Sequence, residues 1–401
     1  MSIGGSGTAR IALIVALLAG YAVIGVHRQA VSLPDKPLPE FLMEDYNCYG
    51  RALSRWRAGE SPYADHHVGT TAFLYPPQSL LLVGGLEWIH ALPAKFAVYA
   101  TLSLVALAGI VALALRASRT PPGDPRAWIA AVLALCFAPV GVSIYLGQVN
   151  VLVAFTLAAG FFLADRHPKL AGAAIAIGAA IKVTPMFLLV LFLRRRYVPV
   201  WISFLATSAA LVVMTAVIFG IAPFFDFLSI AHMMNESFPV GFNGSLSLIN
   251  VVYLTTLKFG WINQGDSHIV GQRIYSFILL TAVLGAAYLT RDGRRRDLLF
   301  ALVTLALTVM PNVLWYHHFV FVLPALFALW LSPESTAELR AAALTALGII
   351  QLDHILSPKV DKLTTTPICL SLMALILVVL VRARRQPVPA QIGAPMVAPL
   401  G

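Results

Sequence analysis

Charge is what this sequence has least of. Only 11% of its 401 residues are Asp, Glu, Lys or Arg, whereas soluble domains are about a quarter charged. That scarcity excludes an ordinary solvated globular surface. Cysteine is nearly absent too. Cys48, Cys136 and Cys369 show no metal-ligand spacing and are too few for a disulfide framework. No repeat of fixed period is visible, and nothing marks a soluble domain on either side of a membrane. One polytopic domain is therefore expected over residues 1–385. The Pro-, Gly- and Ala-rich tail 386–401 is expected to be a disordered cytoplasmic segment.

What the chain has instead is apolar length. Hydrophobic residues make up 59% of it, mean hydropathy is +0.82, and several apolar runs are long enough to span or nearly span a bilayer. The expected class is an all-α integral membrane protein with about twelve transmembrane helices. The formal charge of +10 is no nucleic-acid signature, because the basic residues sit in short clusters between apolar runs. Such clusters orient spans and meet anionic headgroups.

An order of spans follows. Residues 11–26 read as an uncleaved first span, since no A-x-A-like site follows. Residues 27–77 form an outer loop. Residues 78–92 are short and broken by Gly84-Gly85, so a tilted or re-entrant helix is expected there. Spans follow at 95–115, 127–145 and 149–164, then a hairpin over 169–193 that bends near Lys182-Val183-Thr184-Pro185. Residues 197–220 exit, 222–250 form an outer loop, and 250–262 dip into the interface. Further spans are expected at 268–290, 298–311, 319–332, 340–356 and 363–381. With the 78–92 segment not crossing, the clusters at 116–119, 194–196, 291–296 and 382–385 all fall on the cytoplasmic side, with both termini.

One stretch departs from this pattern. Residues 41–77 gather Glu44, Asp45, Arg51, Arg55, Arg57, Asp65, His66 and His67 and close on Tyr75-Pro76-Pro77. The same topology brings the polar span ends to that outer face: Gln148, Asn150, Lys182, Asn243, Ser245, Trp315, His317 and His318. Ionisable groups at membrane depth are costly and by default mark a site or a pathway.

Each candidate has a plainer alternative. Asp45 could cap the short helix after it, and His66 and His67 read as solvated loop residues. His317 and His318 could belong to an interfacial aromatic–histidine belt. Neighbours on a helix point about 100° apart, so at most one of the two faces a given pocket. Gln148 and Asn150 could be helix-end hydrogen-bonders. Lys182 is harder to dismiss, because no acid lies within eight residues of it and a buried ammonium wants an anion. That anion is either an acid across the bundle, such as Asp226, or a phosphate.

Taken in order, the Asp-Tyr of the first loop, Arg51-Ala52-Leu53, Phe73-Leu74-Tyr75-Pro76-Pro77, Leu146-Gly147-Gln148-Val149-Asn150, Lys182-Val183-Thr184-Pro185, FNGSLS and Trp315-Tyr316-His317-His318-Phe319 resemble glycosyltransferase family 87. These are polyprenyl-phosphate-sugar-dependent membrane transferases of the C-type fold, best known as phosphatidylinositol-mannoside α-1,2-mannosyltransferases. The likeness runs through most of residues 11–330. Each motif alone is weak, and their order is the specific part.

The resemblance implies an inverting transfer of a hexose, mannose above all, from a polyprenyl-phosphate donor to a lipid or glycan acceptor. It places the reaction on the non-cytoplasmic face of the plasma membrane. Asp45 maps to the catalytic base, and His318 or His317 to a histidine at the donor phosphate. Lys182, Arg51 and Tyr75 are the candidates for phosphate contact. Glu44, Gln148, Asn150, Asn243, Ser245 and Trp315 are the candidates for substrate binding. No metal or other cofactor is expected. The chain departs from the family pattern at Asn243-Gly244-Ser245-Leu246, where many members have N-Q-S-L. It departs again at Leu314-Trp315-Tyr316, where many have Ser-Trp before the histidines. Both bear on the acceptor more than on the reaction. The rival reading is a lipid-linked-sugar or sugar transporter whose passage these polar groups line. Against it, the groups collect at one face and are not strung across the midplane.

Overall fold

A computed structural model describes residues 42–64, 72–237, 296–309 and 314–356, with a few isolated positions between and beyond them. The first span, His66, His67, Asn243, Ser245, most of 250–262, 268–290 and 363–381, and the tail lie outside the described residues. Among the described residues the chain is helical, without a β-strand.

A short α1 (Asn47–Arg57) and α2 (Gln78–Leu82) precede a 3-10 turn at Gly84–Trp88. The segment expected to be short is thus broken at Gly84-Gly85. The long α3 (Leu92–Ser118) follows. Next come α4 (Pro125–Cys136) and α5 (Ala138–Leu146), which meet at Phe137 with a bend of 41°. Pro139 in the first turn of α5 lacks the N–H that a continuous helix would use. The Gln351 side chain accepts the Ala138 N–H at 2.8 Å, so the break leaves that donor satisfied.

Two shorter apolar helices, α6 (Asn150–Phe162) and α7 (Pro168–Ile181), run out and back beside each other. A Cβ on Gly178 would stand 2.1 Å from Thr156 Oγ1, so the two backbones approach as only glycine permits. A 3-10 segment (Thr184–Phe192) leads to α8 (Val198–Phe219) and α9 (Ala222–Ser237). Residues 222–237, expected as outer loop, are thus helical. Phe224 and Phe227 of this helix are half-buried, Phe227 beside Tyr63, while Phe225 and Leu228 are exposed.

The centre of the molecule is α10 (Arg296–Val309) and α11 (Val322–Leu331), the latter entered through a 3-10 turn at Tyr316–Phe321. Every residue of α10 from Leu298 to Val309 is buried, as a helix apolar on all sides must be. Then α12 (Ala337–Leu356) packs outside them. By contrast, α8 exposes Ile202, Leu205, Val213, Met214 and Val217, an apolar face suited to hydrocarbon and not to water.

Among the described residues two helices are long and apolar enough to cross a membrane, or three if the bent α4–α5 pair is one span. These are the features of an all-α membrane protein.

Among the described residues, Arg116, Arg119, Arg166, Arg196 and Arg296 gather at one end. Asp165, just after α6, accepts from the Tyr197 hydroxyl at 2.7 Å and pairs with Arg296, with Arg196 4.0 Å away. The Arg296 guanidinium also lies over the rings of Phe161, Phe192 and Tyr197. Arg116 and Arg119 border the same recess as Arg166 and His167.

Candidate active site

Asp45 is placed by backbone pairing with the end of α5. Met43 N–H donates to Tyr145 O at 2.9 Å and Asp45 N–H to Leu146 O at 3.0 Å. The chain can come this close because α5 ends on Gly147 in the left-handed region, φ +72°. Gln148 N–H closes the turn on Ser143 O at 2.8 Å, the usual glycine-terminated helix end. A Cβ at position 147 would meet Tyr46 Cβ at 2.6 Å and Met43 Cα at 3.2 Å. Gly147→Ala is therefore expected to destabilise by about 1–2 kcal/mol from the left-handed backbone alone. The collision adds to this, and the sum would be read as a lowered thermal midpoint.

That turn delivers Gln148 to the carboxylate. Gln148 Nε2 donates to Asp45 Oδ2 at 2.6 Å, and the Tyr75 hydroxyl donates to Gln148 Oε1 at 3.1 Å. The Tyr99 hydroxyl, from α3, holds the Gln148 backbone carbonyl. Tyr46, Tyr49 and Tyr75 stack successively behind Asp45, with centroid separations of 5.4 and 5.3 Å. Asp45 does not cap α1, whose N-cap is Tyr46 with no side-chain cap bond. Burial raises the Asp45 pKa to about 6, the Glu44 charge adds to the rise, and the Gln148 hydrogen bond and the Lys182 charge oppose it.

The cationic half is built two residues further on and at the far end of α7. Helix α7 cannot run on through Pro185, which has no N–H to donate to the Ile181 carbonyl, and the chain restarts as the 3-10 segment from Thr184. Lys182 caps the end in an extended conformation. Lys182 Nζ lies 3.2 Å from Asn150 Oδ1, 3.0 Å from His318 Nε2 and 5.2 Å above the Phe321 ring. Asn150 Nδ2 and the Ser143 hydroxyl donate to the His317 carbonyl at 3.3 and 3.2 Å, fixing the turn that carries both histidines. Trp315 N–H donates to His318 Nδ1 at 3.2 Å.

The last bond has a consequence. With Nδ1 accepting, the neutral imidazole carries its proton on Nε2, and that N–H faces a lysine amine. Two donors head to head lack an acceptor between them. An anionic oxygen there would accept from both.

The structure thus gathers Asp45, Tyr75, Gln148, Asn150, Lys182 and His318 into one cluster. Of the two histidines, His318 meets Lys182, while the buried His317 ring packs edge-on against its neighbour at 4.7 Å. The lysine does not pair with Asp226, which accepts from the Ser61 hydroxyl at 2.6 Å. Tyr75 reaches the Asp45 side through Gln148, not the lysine. Glu44 is half-buried and acts on Asp45 by charge. Arg51 is half-buried, one turn into α1, with its charge felt at Cys48. Trp315 contributes its backbone N–H. Sequence reasoning missed Tyr99 and Ser143, which sit in apolar helices where one hydroxyl gives no signal. It also missed the Glu87–Lys95 ion pair of 2.9 Å under Tyr46.

An apolar groove of about 290 Å³ begins at Pro76-Pro77-Gln78, beside Tyr75, and runs along α7, α8 and α9. Val183, next to Lys182, is part of its wall.

The described part of this helical membrane protein thus holds a half-buried carboxylate, a lysine–histidine pair facing it, and an apolar groove beside them. The profile of glycosyltransferase family 87 matches residues 73–314, more than half of the chain, and the protein belongs to that family and is a glycosyltransferase. Two curated relatives are each named polyprenol-phosphate-mannose-dependent alpha-(1-2)-phosphatidylinositol mannoside mannosyltransferase. The one from Mycobacterium tuberculosis is 25% identical over 328 residues, covering 76% of this chain and 74% of its own. The one from Mycolicibacterium smegmatis is 27% identical over 333 residues, covering 76% and 72%.

Proposed function

We propose that this protein moves a hexose, mannose by the likeness to its relatives, from a polyprenyl-phosphate donor to a hydroxyl of a lipid or glycan acceptor, with inversion. One observation carries the proposal: the Asp45 carboxylate and the Lys182–His318 pair share a cluster, held together by Gln148 and Asn150 two residues apart. The prenyl chain lies in the groove between α7, α8 and α9, and the donor phosphate sits against Lys182 Nζ and His318 Nε2.

The acceptor oxygen attacks the anomeric carbon as the bond from that carbon to the phosphate oxygen breaks. Asp45 takes the hydroxyl proton. The second negative charge that develops on the departing polyprenyl phosphate is met by the lysine and the imidazole N–H. The leaving group is already good, so the reaction needs positioning, one base and charge stabilisation. Direct displacement uses no second carboxylate as nucleophile. This chemistry calls for no metal or other cofactor.

The convergence of Arg116, Arg166, Arg196 and Arg296 at the opposite end supports a non-cytoplasmic site, since basic residues favour the cytoplasmic side. In bacteria that membrane is the plasma membrane.

The test is direct. Purified protein given radiolabelled polyprenyl-phosphate mannose and a lipid extract should produce labelled glycolipid. Absence of transfer to any lipid or glycan in the extract would refute the reading. The pH profile is a second check. Asp45 works ionised, so transfer is retained above its pKa of about 6 and should fall tenfold per pH unit below it. Gln148→Leu removes the bond that holds this pKa down and should move the acid limb to higher pH. An unmoved limb would separate Gln148 from the base.

A further inference from the structure

We propose that the end of the bundle opposite the catalytic cluster carries a binding site for the phosphodiester headgroup of an anionic phospholipid. The observations behind it are independent of which sugar the enzyme moves. A recess of about 280 Å³ opens between the C-terminal end of α3 and the link from α6 to α7. Its apolar wall includes Leu113, Phe162 and Leu163, and its rim carries Arg116, Arg119, Arg166 and His167. The one acid on the rim, Asp165, is already engaged by Arg296 and Tyr197. All four basic side chains are exposed, and among the described residues none makes an ion pair or side-chain hydrogen bond.

Position and chemistry narrow the ligand. From Tyr99, which touches the catalytic turn, to Arg116 is seventeen residues of continuous α3, about 25 Å at 1.5 Å per residue. That distance is close to the thickness of a bilayer's hydrocarbon core, so the recess sits at the headgroup level of the other leaflet. A basic rim over apolar walls at that level fits a lipid phosphate with its acyl chains descending along Leu113 and Phe162. A soluble phosphate would gain nothing from those walls.

The backbone at Arg119 adds a second observation. Arg119 holds φ +56° at the end of α3, with Thr120 N–H closing on Leu115 O at 3.0 Å. This is the same helix ending that Gly147 makes after α5, a place where glycine is the low-cost residue. An arginine there keeps a cation on the rim at a cost in stability.

That strain supplies the clean variant. Arg119→Gly should leave the detergent-solubilised protein as stable as the wild type or more so, while removing one rim cation. Phosphatidylglycerol and phosphatidylcholine are titrated separately into protein in mixed micelles, with the thermal midpoint as readout and glycerophosphoglycerol, the deacylated phosphodiester, as the headgroup-only control. For the wild type, phosphatidylglycerol should raise the midpoint and phosphatidylcholine should not. Arg119→Gly should weaken the phosphatidylglycerol response about fivefold in apparent affinity, and Arg116→Gln with Arg166→Gln should weaken it further, by about fivefold for each cation removed. Sugar transfer in detergent without added lipid should stay at the wild-type level in every variant. Equal responses to the two phospholipids, or a full phosphatidylglycerol response in all variants, would overturn the proposal. So would stabilisation by glycerophosphoglycerol matching that of the lipid, which would reassign the recess to a soluble phosphate compound.

Discussion

Asp45→Asn is expected to cut turnover by about 10²–10⁴-fold, the usual contribution of a positioned general base, while leaving expression and thermal stability near wild type. The substitution is nearly isosteric, and its amide oxygen can still accept from Gln148 Nε2, so the 2.6 Å link to the α5–α6 turn survives. The backbone bonds to Tyr145 and Leu146 do not involve the side chain at all. Only the ability to take a proton is lost. The measurement is single-turnover transfer from labelled polyprenyl-phosphate mannose, together with a melting curve. Near-full turnover in the variant would falsify Asp45 as base, and a collapsed melting curve would instead assign it a structural role.

Lys182→Met should produce a loss of similar size by a different route. Removing one preorganised donor to developing negative charge costs about 10²–10³ in rate. Its effect on the fold should run the other way. The ammonium has a neutral amide, an imidazole and the Phe321 ring as its near neighbours, and an apolar side chain of similar length avoids burying that charge. A protein that melts at or above the wild-type temperature yet transfers poorly is the expected combination. Unchanged transfer would remove Lys182 from the phosphate site. His318→Ala is expected to reduce transfer more than His317→Ala, because only His318 presents a ring nitrogen to Lys182. Equal rates in the two variants would contradict that arrangement.

Several parts of the site were legible beforehand. In a chain with so little charge, Lys182 inside an apolar run and Asp45 in the charge-dense first loop stand out, while Gln148, Asn150 and the pair His317-His318 stand out only as polar groups at span ends. The bend at Lys182 followed from Pro185, and the short 78–92 segment followed from Gly84-Gly85, since both residue types act through the local backbone. What stayed hidden acts across the fold. Tyr99 and Ser143 look like any hydroxyl in an apolar helix until α3 and α5 are seen against Gln148 and His317. The choice between His317 and His318 depended on the 3-10 turn at Tyr316–Phe321 and on Trp315 N–H, neither of which a helical-spacing rule anticipates. The stretch 222–237, expected as loop, is helical, with Phe227 set against Tyr63 while Phe225 and Leu228 stay exposed, contacts that no local spacing announces.

The sequence by itself determined the membrane class, the breaks at Gly84-Gly85 and Pro185 and the residue types available for chemistry, because burial in lipid, proline and glycine all act on composition or on the nearest few residues. Only the tertiary structure decided which polar groups meet. Asp45 and His318 are joined by a left-handed glycine that lets the first loop lie against α5, and by a lysine that α7 carries back to the start of α6. Those contacts depend on how close two helices can approach, and that distance is set by packing between elements far apart in the chain.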